Sequence, residues 1–183
     1  MHTSSKIAGT LVFLAALLSS GAAFAQPTGL PGGATSLNET HGDWRVQCAT
    51  GTEPASAAVT CSVLQEQTDN RSGQRVLAVQ MIPSDGGTTG TLILPFGLAL
   101  DNGVTLAVDE QAPMAPLRFS TCLPAGCLVP LTLDAATTEA LRSGTSLKIA
   151  VTALGGEQAN LTVSLNGLAG GLDRAAALLA TPQ

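Results

Sequence analysis

The strongest constraint on this chain is the spacing of its apolar residues, which recur at alternate positions in short runs broken by turn residues. Trp44, Val46 and Cys48 alternate with Asp43, Arg45 and Gln47, the period of a strand with one face buried. Val59, Cys61 and Val63 repeat the pattern. The run from Gln74 to Ile82 is rich enough in Val, Leu and Ile to be covered on both faces, and Leu92–Leu94 is a fourth run, ended by Pro95-Phe96-Gly97. Asp101-Asn102-Gly103 stands between Leu98-Ala99-Leu100 and Val104-Thr105-Leu106. Asn and Gly tolerate the positive φ of a tight turn, so this spacing predicts a hairpin. Further strands are expected at Leu117–Phe119, Leu128–Leu133, Leu147–Ala153 and Leu161–Leu165. Eight or nine short strands with regular punctuation suggest an all-β sandwich or barrel, of which an antiparallel β-sandwich is the expectation.

Two helical pieces interrupt the strands. Asp134 can cap a short helix through Ala135–Arg142 that Gly144 would stop. Near the end, Leu168, Leu172, Ala175, Ala176 and Leu179 fall at helical spacing, with Asp173 and Arg174 on the other side. Such a stripe is expected to cover one side of the sheet.

The first 25 residues read as a secretory signal peptide. Lys6 gives a basic start, Ile7–Leu18 an apolar core, and Ala23-Phe24-Ala25 the small residues a signal peptidase requires. The apolar run is well short of the ~20 residues of a membrane span. Cleavage after Ala25 would leave 158 residues, enough for one domain. Residues 26–41 carry Pro27, Gly29, Pro31, Gly32 and Gly33 and read as a flexible arm, with the single β-sandwich domain over 42–183. No later segment is long and apolar enough to span a membrane.

Without the leader and its Lys6, the net charge moves from −5 to −6, which repels phosphate backbones and argues against a nucleic-acid partner. An outer-membrane barrel needs strands of about 9–11 residues and aromatic girdles. Aromatics are only 3% here, with no Tyr and one Trp, so that architecture is set aside.

The four cysteines, Cys48, Cys61, Cys122 and Cys127, all follow the leader. An even number in an exported domain points to disulfides, with three pairings possible. Neighbour pairing, Cys48–Cys61 and Cys122–Cys127, is expected because each pair brackets turn residues: Gly51 and Pro54 in one case, Pro124 and Gly126 in the other. The first spacing is too wide for a paired zinc ligand and no C-x-x-C is present, so neither a metal nor a redox centre is expected.

Nothing in the sequence carries a catalytic signature. Beyond the leader the sole histidine is His41, and no serine lies in a G-x-S-x-G turn. Asp109-Glu110 adjoins Gln111-Ala112-Pro113 and reads as a solvated loop, and Asp101-Asn102-Gly103 is too short for a calcium loop. Phosphate- and dinucleotide-binding glycine motifs are missing, so no cofactor is expected.

The order of landmarks says more. Asp43-Trp44-Arg45-Val46-Gln47-Cys48 is followed by Cys61-Ser62-Val63-Leu64-Gln65-Glu66-Gln67, then Leu94-Pro95-Phe96-Gly97-Leu98 and Asp101-Asn102-Gly103-Val104. Phe119-Ser120-Thr121-Cys122-Leu123-Pro124-Ala125-Gly126-Cys127 precedes a final Ser164-Leu165-Asn166-Gly167-Leu168. From about Gly42 to Ala177 this resembles the invasion-associated locus B family of exported alphaproteobacterial proteins. It departs at Leu168, where the family commonly has an aromatic. The resemblance implies a periplasmic or secreted β-sandwich with two disulfides, no known catalytic residues and a loose association with host-cell invasion in pathogenic members. It marks the four cysteines, Trp44 and the Pro95–Leu98 turn as framework positions.

Two functional classes follow. The favoured one is a non-enzymatic envelope or secreted binding protein, which requires an exposed patch able to hold an envelope or host protein. The alternative is a carboxylate-dependent periplasmic hydrolase, which requires at least two of Asp101, Asp109 and Glu110 to converge in one cleft.

Overall fold

The computed structural model describes residues 29–51 and 58–180, so the signal-peptide reading of residues 1–25 lies outside the described residues. Ten strands and two helices follow one another in the described residues. The first five strands are β1 (Ser36–His41), β2 (Trp44–Thr50), β3 (Val59–Thr68), β4 (Arg75–Ser84) and β5 (Gly87–Leu94). Next come β6 (Thr105–Val108), β7 (Thr121–Leu123), β8 (Gly126–Asp134) and helix α1 (Ala135–Ser143). β9 (Ser146–Thr152), β10 (Gln158–Ser164) and helix α2 (Leu168–Leu179) complete the fold.

The strands form two antiparallel sheets. The larger has the order β1-β2-β3-β4-β5-β8-β7 and the smaller β10-β9-β6. Side chains from both sheets and both helices meet in a single core, from Trp44, Val46 and Val63 through Leu92 and Val129 to Ile149, Val163 and Leu172. Alternation explains most of this placement: Trp44, Val46 and Cys48 are buried while Arg45 is exposed, and Leu147, Ile149 and Val151 repeat the pattern on β9. β4 buries Leu77, Ala78 and Val79 in succession, as expected for a central strand covered on both faces.

Asp134 caps α1 by accepting a hydrogen bond from the Thr137 N–H at 2.8 Å. α2 lies over β2, β3 and β4, burying Leu168, Gly171, Leu172, Ala175 and Leu178. The stripe is therefore rotated slightly from the expected one, with Leu178 buried and Ala176 exposed. Gly171 is where helix and sheet come closest: a Cβ there would stand 2.9 Å from Val63 Cγ1.

Three expectations change. Residues 36–41, read as part of a flexible arm, form edge strand β1, in register with β2 from Ser36↔Ala49 to His41↔Trp44, and Leu30 ahead of it is buried. An edge strand needs backbone pairing on only one side, so the polar sequence of β1 gave no alternation to read. The Asn102-Gly103 turn does not close a hairpin. Leu100–Asn102 is a 3-10 turn, Leu98 bridges to Ala153, and β6 pairs with β9. The two flanking apolar runs are thus both claimed by β9 and its extension. Leu117–Phe119 contributes only a bridge from Leu117 to Val104.

Candidate functional site

Both disulfides join directly opposed residues of neighbouring strands. Cys48 on β2 faces Cys61 on β3, and Cys122 on β7 faces Cys127 on β8. No free cysteine is found among the described residues. The pairs differ in setting: Cys48 and Cys61 are both buried within the sheet. Cys127 is also buried, but Cys122 is exposed on a three-residue strand at the sheet's edge.

The three carboxylates of the hydrolase reading do not converge. Asp109 directly follows β6 with a positive φ of 49°, and its carboxylate accepts hydrogen bonds from the Thr145 and Ser146 N–H groups and from Ser146 Oγ. Those donors, led by the Thr145 N–H, hold its carboxyl below the usual range, the state suited to clasping the entry to β9. Glu110 is mostly solvated and ion-pairs with Lys148. Asp101 sits on the 3-10 turn ahead of β6, so the whole of that strand separates it from Asp109. His41 lies 3.6 Å from Glu39, whose carboxylate is already held by both arms of the Arg174 guanidinium at 2.7 and 2.8 Å. This set ties β1 to α2. Among the described residues no group of three or more His, Cys, Asp or Glu side chains is placed to hold a metal ion.

A different feature gathers at one end of the larger sheet. There β3 ends, β4 begins, β5 ends and β8 begins, and the chain crosses from the larger sheet to the smaller through Pro95-Phe96-Gly97. The crossing is pinned by three contacts: Leu154 N–H donates to Gly97 O at 2.8 Å, Leu98 bridges to Ala153, and Ala99 N–H donates to Thr152 O at 2.9 Å. Phe96 therefore stands on the crest of a fixed turn, 61% exposed, and Leu154 on the adjoining β9–β10 turn is 77% exposed. Leu123, on the β7–β8 hairpin, is exposed at the same end.

Between that hairpin and the Phe96 turn lies a cleft of about 790 Å³, lined by Arg75, Pro95, Phe96, Pro124 and Ala125 among others. Arg75 braces it. Its Nε donates to Glu66 Oε2 at 2.8 Å and its Nη1 donates to Ala125 O at 3.3 Å, fixing the hairpin tip to the start of β4. Gly126 lets the tip approach, since a Cβ there would lie 2.4 Å from Leu94 O, at a φ of 131°. The cleft thus has apolar walls and a guanidinium at its side, and it is held open by a disulfide, a hydrogen bond and a pinned crossover. Such a surface can take an apolar side chain from a partner, but it brings together no nucleophile, base and acid.

Sequence reasoning placed the Pro95–Leu98 turn in the framework and did not single out Phe96. A Phe directly after a strand-ending Pro is as compatible with burial as with exposure, and only the crossover geometry decides between them.

The family model described as "Invasion associated locus B (IalB) protein" matches residues 44–176. The chain is 42% identical to an invasion protein B homolog of Brucella abortus (strain 2308), an alignment covering 92% of this chain and 94% of that protein. It is 36% identical to invasion protein B of Bartonella bacilliformis, covering 94% and 98%. The crystal structure of invasion associated protein b from Bartonella henselae superposes with a TM-score of 0.70 at 35% identity, covering 78% of this chain and 97% of that one.

Proposed function

Because the chain belongs to the invasion associated locus B family, we propose that it is an exported, non-enzymatic binding protein that holds a protein partner at the Phe96 end of its larger sheet. The observation that carries this reading is the exposure of Phe96 beside the cleft, with Leu154 exposed on the adjoining turn and Leu123 on the hairpin at the same end of the sheet. Burying such side chains against a partner is favourable by about 25 cal/mol per Å² of apolar surface. A rigid platform loses little further freedom on binding, since the turn that carries Phe96 is already fixed by the Leu98–Ala153 bridge. The hydrolase reading has no comparable support, because Asp109 and Glu110 are engaged with Thr145, Ser146 and Lys148 and stand apart from Asp101.

The partner belongs to the envelope or, for a member of this family in a pathogen, to the host cell surface. Two disulfides and the leader-like first 25 residues support action outside the cytoplasm.

The test is site-specific photo-crosslinking in the native organism, with a benzophenone side chain in place of Phe96 or, for comparison, of exposed Thr132 on β8. A discrete adduct at position 96 and not at 132 is the expected result. Equal labelling at both positions, or none at 96, would refute the reading.

A further inference from the structure

We propose that Cys122–Cys127 is a thiol-exchange site, a disulfide that an external dithiol opens while Cys48–Cys61 stays closed. The two bonds share one geometry, each linking opposed residues of adjacent antiparallel strands, so what separates them is access. Cys48 and Cys61 are each 4% exposed and lie inside the sheet, with β1 and β4 on either side. Cys122 is exposed, and all three residues of its strand are exposed with it. β7 ends the strand order of the larger sheet, so nothing in that sheet covers its outer edge. Thiol–disulfide exchange requires in-line approach of a thiolate to one sulfur, and its rate follows access to that sulfur.

The reaction is a two-electron exchange with a dithiol reductant, the class that includes C-x-x-C proteins. One donor thiolate attacks Cys122 Sγ from solvent and forms a mixed disulfide. The S–S electron pair departs on Cys127 Sγ, which takes up a proton. The donor's second thiolate then attacks its own sulfur in the mixed disulfide and releases Cys122 as thiolate, which is protonated in turn. The protein gains two thiols and the donor becomes a disulfide.

Opening this bond acts on the cleft. The tip between the cysteines, Leu123 to Gly126, forms one wall through Pro124 and Ala125. Closed, that wall is held by the disulfide, by the short β7–β8 ladder and by the Arg75–Ala125 hydrogen bond. Open, it keeps the three ladder pairs, the two Ser120 hydrogen bonds to the Leu128 carbonyl at the base of the hairpin, and that single solvent-facing bond at its tip. The exchange would therefore change the shape of the surface opposite Phe96. This consequence rests on the proposed binding role, whereas the order of reduction does not.

The experiment is graded reduction of the oxidised full-length protein under native conditions with dithiothreitol, quenched by acid and alkylation and read by peptide mass spectrometry. Cys122 and Cys127 should be alkylated about tenfold or more faster than Cys48 and Cys61, as expected when access sets the rate. Amide exchange should rise at 120–123, 125–128 and 96–97 and nowhere else. Simultaneous reduction, earlier opening of Cys48–Cys61, or resistance of both bonds until the whole domain unfolds would overturn the proposal. The double variant Cys122→Ser/Cys127→Ser should keep its β-sheet circular dichroism and match the reduced protein's exchange pattern. A variant that fails to fold would make the bond a fold-wide staple and end the proposal. If the reduction order holds but position 96 forms no crosslink, the binding reading fails and the exchange site stands.

Discussion

Removing both donors from the Ser164 carbonyl should destabilise the domain by more than the two single losses combined. That oxygen accepts from Trp44 Nε1 at 2.9 Å and from Gln65 Nε2 at 2.9 Å, which joins the start of the larger sheet to the last residue of β10. Trp44 is 1% exposed, so Trp44→Phe loses one hydrogen bond, about 1 kcal/mol, together with a packing loss of about 1 kcal/mol. Gln65→Met keeps the volume and loses the second bond to that carbonyl, again about 1 kcal/mol, together with the longer one that Gln65 Oε1 accepts from Gln67 Nε2 at 3.3 Å. In each single variant the carbonyl retains a donor. In the double variant it retains neither, and leaving a partly buried acceptor unsatisfied adds about 1–2 kcal/mol beyond the sum. The assay is urea unfolding followed by far-ultraviolet circular dichroism, because Trp44 is the chain's sole tryptophan and its fluorescence disappears with the substitution. Strict additivity across the four proteins would refute the shared-acceptor argument.

The Arg174–Glu39 pair should shape the acid limb of stability. Arg174 donates to Glu39 and holds that carboxyl below its ordinary 4.5, against an opposing push from burial. Stability from the pair is then complete above the unfolded value and is lost as pH falls through the lower folded one. With both side chains about a third exposed, Arg174→Met should cost about 0.5–1 kcal/mol at neutral pH, and the gap to wild type should close below pH 4.5 in denaturant titrations. Gly167→Ala should cost about 2 kcal/mol or more by thermal unfolding, since φ is 91° and the new Cβ would fall 2.0 Å from His41 O. A wild-type melting temperature would mean that the β1–β2 turn and the entry to α2 do not meet at His41 and Gly167.

What the sequence disclosed followed its periodicities. Alternation marked β2, β3 and β9 because each buries one face against the shared core, and the capping Asp134 and stopping Gly144 marked α1 because both act locally. The neighbour pairing of cysteines was legible for the same reason, as each pair closes between adjacent strands. Non-local partnerships left no such trace. Ser36–His41 is a strand because β2 offers it a backbone edge and α2 offers Glu39 a guanidinium, neither of which is written within those six residues. Asn102-Gly103 carried a real turn signal, but the partner of the following strand was β9, some forty residues later. The exposed end was hidden for a further reason. Phe96 and Leu154 are far apart in sequence and are brought together only through the crossover between sheets.

The double hold on Ser164 also imposes an order on the chain's birth. Trp44 and Gln65 are made early, but the carbonyl they both require lies 120 and 99 residues downstream. The helix that covers Val46 and Val63 follows later still. A nascent chain, or one threading through a pore from its N-terminus, can pair β2 with β3 at once but leaves their apolar face bare until the final segment arrives. Contacts of such long sequence separation form slowly, and exposed strand faces are vulnerable in the interval. A product that terminates before Gln158 would therefore be an unclosed protein and not merely a shorter one, with its tryptophan and inner valines open to proteases. Together β10 and α2 act as a certificate of completeness for everything made before them.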